Sequence, residues 1–281
     1  MKKRILKITA LVLAIVLIVG VGLFANSLVG NPISEALARN TAKKYISETY
    51  SDTDYVLERV SYSFKDGYYH AYVSSPSSVD TSFPLYINGF GKLKYDNYEN
   101  NVTSGWNTAT RLDGDYRRAV DEIIESSSFP CSINFGHGEL VFISLEDMDV
   151  PEVPEYAFIT NELTLDAYYN VSELGARSGR LTLYLKDENV SSERLAEMLL
   201  DIRKCFDDAG IGFYSIDCVL EYPQTEDGVY LYGRVEVMEF RYSDIYEDGL
   251  IERVEASNQA ALDYYSLQDI EKYVEKPIET E

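Results

Sequence analysis

Apolar residues change spacing several times along this 281-residue chain, and each change predicts a new element. From Ile8 to Ala25 the chain is apolar without interruption, about 18 residues, which at 1.5 Å per residue roughly spans a bilayer core. Gly30-Asn31-Pro32 breaks that helix; Asn31 can cap the next one and Pro32 fits its first turn. Ala38, Ala42, Tyr45, Ile46 and Thr49 then recur at helical spacing. Between Asp54 and Tyr95 the period falls to two. Val56, Val60, Tyr62 and Phe64 predict one strand, and Lys65-Asp66-Gly67 a turn. Tyr69, Ala71 and Val73 predict a second strand, Phe83, Leu85 and Ile87 a third, and Leu93 and Tyr95 a fourth. A helix followed by an antiparallel meander is the expected first module.

Asn97 to Gly114 is polar, holds the only tryptophan, Trp106, and reads as the boundary between modules. A short helix is expected after it through Tyr116, Ala119, Val120 and Ile123, with Asp113 as its cap. Strands are expected near Leu140–Ile143, Leu163–Tyr169 and Leu181–Leu185. The clearest helical stripe, Leu195, Leu199, Ile202, Phe206 and Ala209, starts near Ser191 and stops at Gly210. Tyr214, Ile216, Cys218, Leu220 and Tyr222 alternate along a strand; Glu226-Asp227-Gly228 turns it, and Val229, Leu231, Val235 and Val237 return it. A last helix is expected from Ile245 to Tyr265, then a charged, frayed tail. The reading is α+β: an N-terminal transmembrane helix followed by two α+β units with antiparallel sheets and flanking helices. Its parts are a basic leader (1–7), the span (8–28), an N-terminal domain (29–112), a C-terminal domain (113–265) and the tail (266–281). Two helix–strand–strand passages with Lys-Asp-Gly and Glu-Asp-Gly turns leave an internal duplication open beside coincidence.

Charge orients the span. Lys2, Lys3, Arg4 and Lys7 precede it and no charge follows until Glu35, so the N-terminus is expected in the cytoplasm and the rest outside. A cleaved signal peptide has a similar layout. Small residues at the cleavage positions are poorly placed, however, and no cysteine follows as a lipid acceptor, so an uncleaved anchor is expected. The net charge of −22 excludes nucleic acid and anionic lipid as expected partners. About 250 residues follow the span, enough for real cores without a disulfide framework.

Candidate chemistry adds little. No nucleophile elbow, Ser-x-x-Lys pair, His-Glu-x-x-His or Cys-x-x-Cys is present. His70 alternates with Tyr68 and Tyr72 and is expected on a strand's solvent face. His137, between Gly136 and Gly138, is expected in an exposed turn. Cys205 and Cys218 read as small buried hydrophobes whose helix and strand are near enough in sequence to permit a bond, leaving Cys131 over. Glu146, Asp147, Asp149, Glu152 and Glu155 form an acidic, proline-held loop that offers oxygen ligands to calcium but lacks the EF-hand spacing, so a solvated linker is expected. No catalytic, cofactor-binding or metal-binding residue is assigned, and no cofactor is expected.

One resemblance stands out. The basic start, apolar span, Gly30-Asn31-Pro32, Ala42-Lys43-Lys44-Tyr45 and Val60-Ser61-Tyr62-Ser63-Phe64-Lys65-Asp66-Gly67-Tyr68-Tyr69 resemble the YfjL-like proteins of Gram-positive bacteria. That resemblance implies a membrane anchor and two extracytoplasmic domains, and brings no catalytic residues with it. The first helix and meander also loosely resemble the small PepSY-type domains of exported proteins, which implies binding or inhibition. With 24 tyrosines in the chain, many of them on sheet-forming segments, the expected function is a non-enzymatic binding or assembly module at the cell membrane, with an extracytoplasmic protein partner. The alternatives are an envelope glycan or peptide hydrolase using paired carboxylates, and a cation-sensing ectodomain.

Overall fold

The computed structural model describes residues 2–144, 153–225, 227, 231 and 233–274. The expected acidic loop lies outside these residues except for its end, as do Glu226 and Gly228 of the expected hairpin turn and the last seven residues of the tail. Contacts divide the chain into two compact units: Met1–Thr108 with Leu163–Asp166, and Ala109–Glu162 with Ala167–Glu281.

The first unit begins with α1 (Lys2–Val29), the one described helix long and apolar enough to cross a membrane. Gly30 ends it in the left-handed region (φ 72°), where a Cβ would stand 2.6 Å from Tyr69 Oη and 2.8 Å from Tyr62 Cγ. Asn31 caps α2 (Pro32–Thr49): its Oδ1 accepts from Ser34 N at 2.8 Å. The joint is tied to the sheet. Asn31 N donates to Tyr69 Oη at 2.8 Å, and Tyr62 Oη donates to Ser27 O at 3.0 Å.

Four strands follow: β1 (Val56–Ser63), β2 (Tyr68–Ser75), β3 (Ser78–Ile87) and β4 (Leu93–Asp96). They form an antiparallel meander in the order β1-β2-β3-β4. Alternation works here as the sequence predicts. Tyr69, Ala71 and Val73 on β2 and Phe83, Leu85 and Ile87 on β3 are buried, beneath Ala38, Ala42 and Ile46 of α2. α2 covers one face of this sheet only.

The polar stretch from Asn97 is helical, holding a π-helical turn (Glu99–Thr103) and the start of α3 (Trp106–Ile124), and the division between the two units falls within it. Val102, Ala109 and Leu112 are buried there, and their polar neighbours mask the stripe that continues through Tyr116, Val120 and Ile123.

The second unit is built on a sheet ordered β10-β9-β8-β5, with β5 (Ser132–Leu140), β8 (Gly179–Lys186), β9 (Ser215–Glu221) and β10 (Arg234–Arg241). Its outer pairs are antiparallel, but β8 and β9 are parallel, because α5 (Ser192–Ala209) carries the chain back between them. A second parallel pair joins β6 (Phe142–Ile143) to β7 (Phe158–Ile159). Leu181, Leu183, Leu185, Ile216, Cys218, Leu220 and Val237 are buried on one face, as are Leu195, Leu199, Ile202 and Phe206 of the α5 stripe, while Ala209 at its end is exposed. Ser191 caps α5 and Gly210 ends it in the left-handed region (φ 69°).

His137 requires a correction. It lies inside β5, not in a turn. Its flanking glycines face α3: a Cβ on Gly136 would stand 2.8 Å from Leu183 Cδ2, and one on Gly138 2.5 Å from Val120 Cγ2. They are glycine because a helix packs directly on the strand backbone. The expected strand at Leu163–Tyr169 is absent too. That segment follows a 3-10 turn (Thr160–Glu162), and Leu163–Asp166 is held to the first unit by carboxylates instead of a ladder. Asp166 N donates to Asp80 Oδ2, and Asp80 N to Asp166 Oδ1, each at 3.0 Å. Asp166 takes φ 58°, a conformation Asp tolerates better than most residues. α4 (Val171–Ser178), which periodicity missed, and α6 (Leu250–Val274), longer than expected, complete the unit.

Candidate functional site

The face of the first sheet turned away from α2 is chemically distinctive. Strand register sets Ser61, His70, Tyr86 and Tyr95 in one row across all four strands, and Arg59, Tyr72 and Pro84 in the next. In the first row the His70 and Tyr86 rings lie 4.4 Å apart, and Tyr86 stacks on Tyr95 at 4.3 Å and 23°. In the second, the Arg59 guanidinium sits 4.4 Å over the Tyr72 ring. Tyr95 is half exposed (49%), while the rings between are shielded mostly by one another.

His70 stands on this open face with Tyr68 and Tyr72, as alternation predicts. Its Nε2 lies 2.7 Å from Asp66 Oδ2, a carboxylate supplied by the hairpin turn. Burial works to raise the Asp66 pKa, but the Tyr68 backbone N–H and the His70 ring outweigh it and hold the carboxyl below its ordinary value. Burial, then the neighbouring Tyr95, raises that of the Tyr86 phenol. The surface therefore offers ring faces, hydroxyls, one oriented imidazole and one guanidinium. Such groups bind by stacking and hydrogen bonding.

On the covered side of the same unit, Tyr45 and Tyr50 both donate to Asp96 Oδ2, at 2.7 and 2.8 Å, and Tyr50 packs among Tyr55, Phe83 and Tyr98. Burial, reinforced by that carboxylate, raises both phenol pKa values.

The second sheet's open face differs. Arg180 Nε donates to Glu139 Oε1 at 2.9 Å, and Lys186 Nζ to Glu221 Oε1 at 2.8 Å, both across paired strands. Phe135 and Tyr184 sit among these ion pairs. His137 Nδ1 is buried without a hydrogen-bond partner among the described residues. Two clefts of about 500 Å³ open elsewhere on this unit. One is lined by Phe206, Phe213, Tyr242 and Arg241, the other by Cys205, Lys204, Asp201 and Ser126.

All three cysteines are free thiols. Cys218 is fully buried, as alternation predicts, and burial raises its pKa; burial pushes Cys131 up to about 12. Among the described residues no group of three or more His, Cys, Asp or Glu is placed to hold a metal ion. Trp106 opens α3 and is half exposed (48%). Sequence reading did not find the Arg59–Tyr72 pair or the joining of Tyr86 to Tyr95. The available signal was the period-two spacing of Tyr68, His70 and Tyr72 on one predicted strand, with Tyr86 and Tyr95 on the next two.

Comparison with known proteins gives two family matches. The YfjL-like N-terminal domain matches residues 5–97, a segment that begins within α1 and ends just past β4. The YfjL-like C-terminal domain matches residues 115–255. No curated protein and no solved structure matches the chain. With both domains present in order and covering most of its length, this chain belongs to the YfjL-like family.

Proposed function

We propose that this protein is a single-pass, membrane-anchored binding or assembly module of the Gram-positive cell envelope, not an enzyme, and that it engages an extracytoplasmic protein partner through the open aromatic face of its first sheet. The N-terminus lies in the cytoplasm, held there by Lys2, Lys3, Arg4 and Lys7, and both α+β units lie outside. The observation that carries this reading is the His70–Tyr86–Tyr95 row. Rings stacked across strands form a flat, preorganised surface, and tyrosine and histidine give up little conformational entropy on contact. The guanidinium of Arg59 lies over Tyr72 among these rings, and the Asp66 carboxylate is turned onto His70, so the face carries both signs of charge in a chain of net charge −22.

A photocrosslinking side chain placed at Tyr95 in living cells tests it, with Tyr184 on the second sheet as the control position. One recurring protein adduct from position 95, missing from position 184, supports the module. Adducts equal at both positions, or none from position 95, overturn it.

A further inference from the structure

We propose that the first unit rests on the outer surface of the bilayer that α1 crosses, with Phe64 and Phe90 set into the lipid headgroup region as side anchors. This rests on the anchored reading above. At 1.5 Å per residue, Ile8–Val29 spans about 33 Å against a hydrocarbon core of about 30 Å, so Ser27 to Asn31 fall at the headgroup level. Ser27 and Asn31 are the residues bonded to Tyr62 and Tyr69, at the end of β1 and the start of β2. That end of the sheet is therefore brought to the bilayer surface by hydrogen bonds.

In an antiparallel meander the first and third turns share one end. Tyr69 pairs with Ile87, which puts the β1–β2 and β3–β4 turns side by side beside the exit of α1. Each turn presents a phenylalanine to solvent: Phe64 is 65% exposed and Phe90 is 91% exposed. Neither ring sits on a loose loop. Asn88 Oδ1 accepts from both Phe90 N and Lys92 N at 3.0 Å, and Gly91 N donates to Asn88 O at 2.9 Å. In the other turn Gly67 N donates to Ser63 O at 2.8 Å, and Tyr68 N to Asp66 Oδ1 at 3.0 Å. Two ordered turns that hold large apolar rings out in water at one end of the sheet offer a site for an apolar occupant.

Local charge selects lipid as that occupant. Exposed Lys65 follows Phe64 and exposed Lys92 lies two residues after Phe90, while Asp66, in the same turn as Lys65, turns back onto His70. Aromatic rings flanked by lysine are the usual side chains of the membrane–water interface. The opposite end of the sheet, with Asp54, Ser77 and Ser78 around exposed Val79, has no such pattern.

The test uses the full chain in phosphatidylcholine vesicles whose acyl chains are brominated near the headgroup. The W106F background removes the native indole, and F64W, F90W and V79W each place a single probe. Expected are strong quenching and a blue shift for F64W and F90W, with V79W unquenched. Protein that resists carbonate extraction while F64W and F90W stay as unquenched as V79W overturns the docking and leaves the anchor standing. Protein released by carbonate overturns the anchored reading and the docking with it.

Discussion

Both units lay a helix on a sheet, and they solve the problem of close approach from opposite sides. In the first, the helix gives way: Ala38 and Ala42 on α2 are fully buried and leave room for Tyr69, Phe83 and Leu85 rising from the strands. In the second, the strands and loops give way. Tyr116 on α3 is fully buried against positions 138, 175 and 179, all glycine, and its Oη donates to Gly212 O at 3.0 Å. Small residues thus mark the yielding partner, and the bulky residue opposite carries the packing. The open faces diverge as well, one stacked from rings and the other tied by ion pairs.

The strongest way to break this comparison is Y116A. Deleting a ring around which three glycines are arranged should cost about 4 kcal/mol, since those glycines cannot refill the hole. Urea unfolding of the full chain would read it, and a loss below that of a peripheral tyrosine would refute the assignment of yielding roles. D80A follows. It strips Thr108 Oγ1 and Asp166 N of their acceptor, and leaving two such donors orphaned should cost about 3 kcal/mol. Hydrogen exchange at Asp166 should accelerate in the same variant.

A42L tests the first unit from the helix side. Overpacking there should cost about 2 kcal/mol, and combining it with F83A should recover part of the loss if the two share one space. The open faces should respond far less. R180A removes a pair that is a third exposed, and Y95S removes a half-exposed ring; each should shift stability by at most about 1 kcal/mol. Of the two, only Y95S should weaken binding of the partner proposed for the first sheet.

The smallest effect is nil at neutral pH and appears in alkali. Tyr45 and Tyr50 have folded pKa values raised above the ordinary phenol value near 10. Their contribution to stability is therefore fully present below pH 10 and lost as pH rises through the folded values. Absorbance titration at 295 nm should show a late phase above the ordinary phenol range, and Y45F with Y50F should remove it.

Much of the first unit was legible because its contacts are local. Alternation along β2 and β3 and the Ala38–Ala42–Ile46 spacing each report one buried face, and a meander joins neighbours in sequence order; register shifts on β1 and between β3 and β4 turn Val56 and Tyr95 outward from the faces their spacing predicted. Less of the second unit could be read. Gly136 and Gly138 signal a turn unless the helix pressing on them is known, and polar residues with Gly114 conceal the first turns of α3. The parallel β8–β9 pair depends on strand order, which no local pattern encodes. The Asp80–Asp166 link spans 86 residues and has no sequence signature. The candidate site was half visible: Tyr68, His70 and Tyr72 share a period, whereas only register brings Tyr86 and Tyr95 beside them.

The joint at Gly30 has a mechanical consequence. Any side chain there would displace the Tyr62 and Tyr69 rings, and hydrogen bonds on either side clamp helix to sheet, so the joint is not a swivel. Span and first unit turn together, like the two arms of a crank. Rotating α1 about its long axis swings the ring-bearing face with it. Under the anchored arrangement proposed above, whatever grips α1 in the bilayer would thereby aim that face.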